Sequence, residues 1–523
     1  MALRMGLWRR RALLFAAGGL GGLGFAPFGL WPVTLVSLAV LCLVVETGAR
    51  NGAGRGSVFV SAWAWAFGNF LAGQYWIAHA FQFQANMPAW LGWVAVVGLS
   101  MFMATYPAVA AALASRFRKA PMARALAFAG AWMLTEWLRG YLMTGFGWNP
   151  LGITTLSLGP AAQGASWVGA LGMSGVMLLA GYAIMLTAAE VRRHWREGWV
   201  FAPLAEPLGG GRALLAPLAT ALILGWLTQG DPTPSDTRVD IVQANIPQEE
   251  KYAEGAFYRN LQRYIDLSPP PGGEARLLIW PEAAIPRTLD TRPDLRRDLA
   301  VLLLGERDLF LTGALKLVPG QSSDDPWAGL NSLYAIGPDG GIHARYDKQR
   351  LVPYGEYLPL RPVLSRIGLD SFAPSSVDTY AGTRPRVMAL PGFPDLVAMI
   401  CYEAVYAEQA DGATRPAWLL NVSNDAWFSD GGAAMHLAHA RLRAIEQGLP
   451  LVRSTPTGIS AVIDPYGEVI ASLPRHEAGV IQASLPLPRA ETLFARTGNA
   501  LPIALALFLL AGALALPARS RRS

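Results

Sequence analysis

One cysteine in this chain stands where an apolar stretch meets a carboxylate. Cys401 follows the run "LVAMI" and precedes Tyr402 and Glu403. A free cysteine is usually a small buried hydrophobe, but it acts as a nucleophile when a base removes its proton or its surroundings lower its pKa. The other cysteine, Cys42, lies inside the apolar run "LVSLAVLCLVVE" and is expected to be inert packing. Cys401 is therefore the candidate nucleophile.

Polar residues at the ends of other predicted strands supply what a cysteine nucleophile needs. Glu282 ends "RLLIWPE", Lys348 follows a predicted hairpin in "YDKQRLVPYGEY", and Asn424 ends "AWLLNVSN". Glu282 can take the thiol proton. Lys348, as a compact positive charge in a chain that otherwise prefers arginine, can stabilise a thiolate and an oxyanion. Because strand ends converge in α/β folds, these residues predict attack of a thiol on a carbonyl carbon.

Glu403 is the carboxylate nearest to the cysteine in the sequence. Side chains two residues apart on an extended chain point the same way. If the chain stays extended, Glu403 is expected to touch the site beside Cys401. We assign the base to Glu282 and a supporting role to Glu403.

No metal or cofactor site is expected. The chain has no CxxC or HExxH pattern. His436 and His439, in "MHLAHA", can share one helical face, but no third ligand is evident. A structural or hydrogen-bonding role is the favoured interpretation for both histidines.

The segments that position these residues read as an α/β domain. After the linker "GDPTPSD", apolar runs shorten to strand length and alternate with helical patterns such as "FYRNLQRYIDL" and "AAMHLAHARLRAIEQG". Two stretches, "NSLYAIGPDGGIHARYDK" and "LVRSTPTGISAVIDPYGEVIASL", are typical of hairpins. Strands mixed with helices and hairpins predict a layered domain with mixed sheets over residues 230–497.

The rest of the chain is typical of a membrane protein. It is 52% apolar and 15% charged, against roughly 25% charged in soluble domains. Apolar runs of about 20 residues predict spanning helices. Seven precede the α/β domain and an eighth follows it, at about 12–28, 32–48, 57–80, 89–114, 122–143, 162–189, 212–229 and 498–517. The predicted division is a transmembrane domain over 1–229, the α/β domain, and a last helix with its tail over 498–523.

Arginines placed between the apolar runs predict the orientation. They occur at the N-terminus, in alternate loops around residues 50, 118 and 193, and at the C-terminus, whereas the loops 81–88 and 145–161 contain no Lys or Arg. By the positive-inside rule both termini are cytoplasmic and residues 230–497 lie on the outer side. The same rule accounts for the net charge of +6, and without a basic stripe no nucleic-acid partner is expected.

Two charges occur inside the fifth predicted span. Glu136 and Arg139, in "LTEWLRGYL", are three residues apart. A charge at such a position is costly unless it is paired or functional. They form either a helix-end ion pair or a contact to a lipid head group.

Three local signatures carry a family resemblance. The contexts "WPEAAIP", "YDKQRLVPYGEYLP" and "ICYE", in this order, resemble the nitrilase (carbon–nitrogen hydrolase) superfamily over about residues 238–485. This resemblance implies an αββα sandwich. Such a domain held between seven helices and an eighth resembles the apolipoprotein N-acyltransferase family, and the resemblance then covers nearly the whole chain. It implies the inner membrane of a Gram-negative bacterium, with the catalytic domain on the periplasmic side.

The resemblance also implies an activity and residue roles. In that family the cysteine is acylated by a phospholipid, preferentially phosphatidylethanolamine, and the acyl group passes to the α-amino group of the N-terminal S-diacylglyceryl cysteine of an apolipoprotein. A monomer acting among membrane lipids is expected. The residues carried over are nucleophile Cys401, base Glu282, electrostatic stabiliser Lys348, supporting residues Glu356, Tyr402 and Glu403, and substrate contacts Tyr252 and Asn424.

Two other functions remain open at this point. A membrane-anchored nitrilase-type amidase would use the same three residues, although seven helices are excessive for an anchor. A lipid transporter or lipid-binding protein with an inactive outer domain would not need them.

Overall fold

The computed structural model describes residues 6–52, 54–83, 88–117, 120–196, 211–251, 253–320, 327–357, 359, 366, 379–407 and 414–516. The chain divides into two compact units. The first holds Met1–Ala78, Trp93–Gln229 and Arg496–Ser523, and the second holds His79–Gly92 and Gly230–Ala495. The segment His79–Gly92 therefore groups with the second unit, although it interrupts the apolar half of the sequence.

The first unit is helical. A helix, or a pair of helices, lies at each of the predicted spans. Within the described residues they are α1 Leu7–Gly21, α2 Trp31–Arg50, α3 Arg55–Gln74, α4 Leu91–Met103, α5 Thr105–Ala114, α6 Pro121–Arg139, α7 Ala165–Arg196 and α8 Ala216–Thr228, with a last helix at Ala500–Ala515.

Three of these helical stretches are long and apolar enough to cross a membrane, counting only the described part of the chain. They are Trp31–Arg50, Leu91–Ala114 and Leu151–Arg196, whereas Arg212–Thr228 and Ala500–Ala515 are apolar but shorter. Helices thus occupy every predicted position, while length and apolar composition together suffice for a span at three of them within the described residues.

Buried charges in the helical unit are paired across helices. Glu46 of α2 accepts hydrogen bonds from Arg124 of α6 at 2.7 Å and from the hydroxyl of Tyr182 of α7 at 2.9 Å. All three side chains are buried. Since an unpaired charge away from water is costly, this network ties the three helices together.

The two charges near the end of α6 contact protein groups. Glu136 accepts hydrogen bonds from the backbone N–H of Leu151 at 3.0 Å and from the hydroxyl of Ser174 at 2.5 Å. Arg139 donates to the carbonyl oxygen of Trp148 at 2.6 Å. Both side chains therefore attach the segment that follows α6 to the helix itself.

The second unit contains two mixed sheets. The first is built from β1 Pro234–Gln243, β2 Arg276–Ile279, β3 Ile285–Thr288, β4 Leu309–Pro319, β5 Trp327–Ile336, β6 Ile342–Asp347 and β13 Gly479–Pro486. Its order is β13-β1-β2-β4-β5-β6, with β3 paired to β4. The second sheet is built from β7 Val387–Leu390, β8 Phe393–Ile400, β9 Trp418–Val422, β10 Leu451–Ser454, β11 Ser460–Ile463 and β12 Val469–Leu473. Its order is β12-β11-β10-β9-β8-β7.

Helices cover the outer faces of the two sheets. Among its described residues, the helices of this unit are α9 Gln248–Lys251, α10 Ala256–Leu267, α11 Pro293–Leu303, α12 Asp430–Gln447 and α13 Leu493–Thr497. The last helix of the first unit, Ala500–Ala515, is called α14. Leu261 of α10 and Leu299 of α11 pack on the first sheet. Ala440 and Ala444 of α12 pack on the second.

The inner faces of the sheets pack against each other. Ile241 and Leu311 of the first sheet share one core with Leu420 and Val452 of the second. Successive residues of β2 alternate between this core and the helix-covered face, as the pleat requires. The predicted αββα sandwich is thereby confirmed, and it leaves the strand ends at one edge for the chemistry.

A close approach of two backbones places the loop that carries Glu282. A methyl group on Gly313 of β4 would lie 2.5 Å from the backbone nitrogen of Ala283 and 2.7 Å from the Cα of Glu282. Neither contact involves a movable side chain. Glycine at 313 therefore allows β4 to lie directly against the loop.

We expect Gly313→Ala to displace the Glu282 loop. Overpacking of this kind costs about 1–3 kcal/mol, so the apparent melting temperature of the purified protein should fall. Gly273→Ala is the matched control because a methyl group there meets nothing within 4 Å. Equal melting temperatures for the two variants would contradict this account.

Candidate active site

Glu282 lies just beyond β2 and is aimed by groups from both sheets. Its side chain is buried. Oε1 accepts a hydrogen bond from the side-chain amide of Asn331 on β5 at 2.6 Å. Oε2 accepts one from the backbone N–H of Asn424, which follows β9, at 2.5 Å. The carboxylate is thus held in one orientation by two donors, as a general base must be.

Lys348 is the first residue after β6 and is almost fully buried. Its Nζ lies 2.8 Å from Oε2 of Glu356 and 4.0 Å from Oε1 of Glu282. Burial alone would lower the pKa of Lys348, but the negative charges of Glu356, of a Cys401 thiolate and of Glu282 outweigh it and raise the pKa. The ammonium is therefore charged at neutral pH, between two carboxylates.

Glu356 fixes the lysine from the loop that follows it. Its Oε2 also accepts a hydrogen bond from the backbone N–H of Val352 at 2.7 Å. The loop therefore folds back on itself and presents the carboxylate to Lys348. Glu356 therefore lies beside the lysine that it was expected to support.

Cys401 directly follows β8 and has an unusual backbone conformation. Its φ is 51°, in the left-handed region. For a residue other than glycine such a conformation costs roughly 1–3 kcal/mol, and it persists only where the surroundings enforce it. The side chain is buried, with 8% of the residue exposed. The strand β8 therefore ends in a strained turn at Cys401.

The thiol of Cys401 is protonated in the resting site. Burial and then the charge of Glu282 raise its pKa to about 12, and the charge of Lys348 opposes this only in part. The sulfur must therefore lose its proton as it attacks. Glu282, whose charge acts on the thiol, is a carboxylate of the kind that accepts such a proton.

The prediction for Glu403 is wrong in one respect. The chain does not stay extended, because Cys401–Val405 forms a 3-10 turn. Oε1 of Glu403 accepts hydrogen bonds from the hydroxyl of Tyr346 at 2.7 Å and the backbone N–H of Gln349 at 2.8 Å. Its Oε2 accepts one from the N–H of Ile400 at 2.7 Å. Glu403 therefore joins the end of β8 to the end of β6.

The remaining predicted site residues have different surroundings. Tyr402 is buried, and its hydroxyl accepts a hydrogen bond from the hydroxyl of Tyr406 at 2.7 Å. The side-chain amide of Asn424 donates a hydrogen bond to Oε1 of Gln248 at 2.9 Å. Tyr252 lies outside the described residues.

Two further residues of the site were not predicted. Asn331, which orients Glu282, lies in the middle of β5, and nothing in its sequence context indicated a catalytic neighbour. Lys251 donates from Nζ to the carbonyl oxygen of Glu282 at 3.2 Å. Burial lowers the pKa of Lys251 to about 8, against the opposing charges of Glu282 and Cys401. The rarity of lysine in this chain was a sequence signal that could have identified Lys251.

His436 makes hydrogen bonds, as the sequence suggested. Its Nδ1 lies 3.0 Å from Asp425 and its Nε2 lies 3.0 Å from the carbonyl oxygen of Cys401. Among the described residues, no group of three or more His, Cys, Asp or Glu side chains is arranged to hold a metal ion.

The protonated thiol gives a pH prediction for the unmodified protein. We expect alkylation of Cys401 by iodoacetamide to accelerate steadily as the pH rises from 7 to 10, because the thiolate fraction grows tenfold per pH unit below a pKa of about 12. Peptide mass spectrometry separates Cys401 from Cys42. A rate that levels off below pH 8 would instead show a preformed thiolate.

Solved structures that resemble this chain include an amidase of the nitrilase superfamily from Nesterenkonia AN1. It is 16% identical, the match covers 48% of this chain and 93% of that one, and the TM-score is 0.32. A likeness this weak supports no statement about the site.

Family models and curated relatives cover both units of the chain. A model described as the apolipoprotein N-acyltransferase N-terminal domain matches residues 17–183, and a carbon-nitrogen hydrolase model matches residues 238–493. An apolipoprotein N-acyltransferase of Rhodopseudomonas palustris is 36% identical, over 94% of this chain and 92% of that protein. One of Bradyrhizobium diazoefficiens is 35% identical, over 96% and 94%. The chain therefore belongs to the apolipoprotein N-acyltransferase family, with a carbon-nitrogen hydrolase domain as its second part.

Proposed function

We propose that this chain transfers an acyl group from a phospholipid to the α-amino group of the N-terminal S-diacylglyceryl cysteine of an apolipoprotein, through a thioester on Cys401. The observation that carries the proposal is the convergence of Cys401, Glu282 and Lys348 from three strand ends of two sheets in a buried site. The identities of the acyl donor and the acyl acceptor are inferred from the chain's membership of the family.

The first half of the reaction forms the thioester. Glu282 takes the proton of Cys401 while Sγ attacks the carbonyl carbon of the phospholipid ester. The ammonium of Lys348 stabilises the oxyanion that results. The ester C–O bond then breaks, the lysophospholipid oxygen receives the proton from Glu282, and the acyl group remains on sulfur.

The second half transfers the acyl group to nitrogen. The neutral amine attacks the thioester carbonyl carbon, and Glu282 accepts a proton from the amine. The C–S bond breaks, and the proton on Glu282 returns to the sulfur, which restores the resting site and leaves an amide. Burial of Cys401 supports this sequence because water must not reach the thioester.

The helical unit suits substrates that are themselves anchored in a membrane. Trp226 of α8 and Phe508 of α14 are each 72% exposed, which favours an apolar environment around these helices. We propose eight spans in a bacterial inner membrane, both termini in the cytoplasm, residues 230–497 on the periplasmic side, and a monomeric enzyme. The arginine distribution supports this orientation.

An amidase acting on a small soluble amide is the second candidate, because the same three residues would serve it. It does not account for a helical unit matched over residues 17–183 by the model of the acyltransferase's own N-terminal domain. A transporter with an inactive outer domain does not account for the ordered site around Cys401.

The test is to trap the acyl-enzyme. Purified protein incubated with phosphatidylethanolamine carrying a labelled acyl chain should acquire a label that hydroxylamine removes, and Cys401→Ala should acquire none. Cys42→Ala is the matched control and should label like the wild type. Absence of label on the wild type would contradict the proposal that the phospholipid acylates this enzyme. Labelling of Cys401→Ala would show that another residue is the nucleophile.

A second prediction concerns Lys348. We expect Lys348→Arg to slow acyl-enzyme formation by about tenfold or more, because a planar guanidinium cannot replace a compact ammonium between two carboxylates. Lys316→Arg, on the same sheet and outside the site, is the control. Acylation of Lys348→Arg at the wild-type rate would show that only the charge matters.

A further inference from the structure

A buried polar network joins helix α12 to the backbone of the candidate nucleophile. Nε2 of His436 lies 3.0 Å from the carbonyl oxygen of Cys401. Its Nδ1 lies 3.0 Å from Oδ1 of Asp425 and 3.0 Å from Nη2 of Arg453. Arg453 also donates to Oδ2 of Asp425. The three side chains of this network are fully buried.

The hydrogen-bond partners settle which ring nitrogen carries the proton. A carbonyl oxygen can only accept, so Nε2 of His436 must donate to Cys401. Burial and then the charge of Arg453 lower the pKa of His436, so the ring is neutral at pH 7. Burial would raise the pKa of Asp425, but the charge of Arg453 holds it well below its usual range. Arg453 is then the donor to Nδ1, and the ring cannot turn.

The bond to Cys401 acts where the backbone is strained. The left-handed conformation of Cys401 decides where its Sγ points, and a strained residue needs its peptide groups anchored. The 3-10 turn Cys401–Val405 gives the same carbonyl a local backbone donor, the N–H of Ala404, and the side-chain amide of Asn421 lies 3.5 Å away. His436 is therefore the short side-chain hydrogen bond that ties this peptide group to helix α12.

The same network reaches the catalytic base. Ser423 donates from its hydroxyl to Oδ1 of Asp425 at 2.8 Å, and the next residue, Asn424, donates its backbone N–H to Glu282. The turn after β9 thus contacts Glu282 on one side and, through Asp425, Arg453 and His436, the backbone of Cys401 on the other.

We propose that His436 is a positioning residue for the thioester chemistry: its Nε2–H holds the carbonyl of Cys401 so that Sγ faces Glu282, while Asp425 and Arg453 lock the ring. The proposal rests on the proposed function for its consequence in catalysis, but the geometry it asserts concerns the thiol alone. It can therefore be tested with and without the acyl donor.

Two substitutions of equal polarity separate this role from general support of the fold. In His436→Gln the amide nitrogen can occupy the place of Nε2 and donate to Cys401. In His436→Asn it can occupy only the place of Nδ1, so the bond to Cys401 is lost. The readouts are the rate of iodoacetamide alkylation of Cys401 at fixed pH, the single-turnover rate of acylation by labelled phosphatidylethanolamine, and the melting temperature.

We expect His436→Gln to remain within about threefold of the wild type, and His436→Asn to be slower by about 10- to 100-fold in both reactions, since a misplacement near 1 Å can cost that much. His439→Asn, one turn along the same buried helix face, is the matched control and should alkylate normally. Equal rates for His436→Gln and His436→Asn, or a His439→Asn defect as large as that of His436→Asn, would overturn the proposal.

A further variant, Asp425→Asn, keeps the proposal testable if His436→Asn folds poorly. Asp425→Asn keeps the volume but removes the charge that orients Arg453 and the ring, so it should slow alkylation by about tenfold. Wild-type alkylation in Asp425→Asn would also overturn the proposal. If the wild type alkylates normally but is not acylated by phospholipid, the proposed function fails, while the alkylation rates still decide the role of His436.

Discussion

The site depends on one buried carboxylate that joins the two sheets. Glu403, 2% exposed, accepts hydrogen bonds from the end of β6 on one oxygen and from the end of β8 on the other. A buried carboxylate is tolerated only when its lone pairs are satisfied. Because the donors come from the strands that carry Lys348 and Cys401, the requirement that stabilises Glu403 also sets the separation of those two residues.

Around Glu403, each of the buried charged side chains named below contacts a group of opposite charge or a polar backbone group. Lys348 lies between Glu356 and Glu282, Lys251 touches the backbone of Glu282, and Asp425 pairs with Arg453. Removing one member of such a pair leaves a charge that the interior cannot solvate. The thiol of Cys401 remains neutral in this balance, so the site can keep water away without holding an uncompensated thiolate.

Much of the arrangement of the site could be predicted from the local sequence. Apolar strands that end in Glu282, Lys348 and Cys401, and helices with regular apolar spacing, are short-range patterns, and the structure has strands and helices at those places. The prediction for Glu403 was wrong only in assuming an extended chain, because the backbone turns at Cys401. Asn331 and the network of His436 were missed because their partners are distant in the chain and no local pattern records them.

The sequence by itself determined the chemistry available and the elements that carry it, since residue types, strand ends and helical periodicity are local properties. It also determined the apolar helices on either side of the α/β domain. Only the tertiary structure decided which carboxylate orients which group. Packing brings together strand ends that are more than a hundred residues apart, and buried hydrogen-bonding groups must find partners there. Packing thereby placed Glu282 beside Lys348, made Glu403 the link between the sheets, and made His436 the proposed anchor of Cys401.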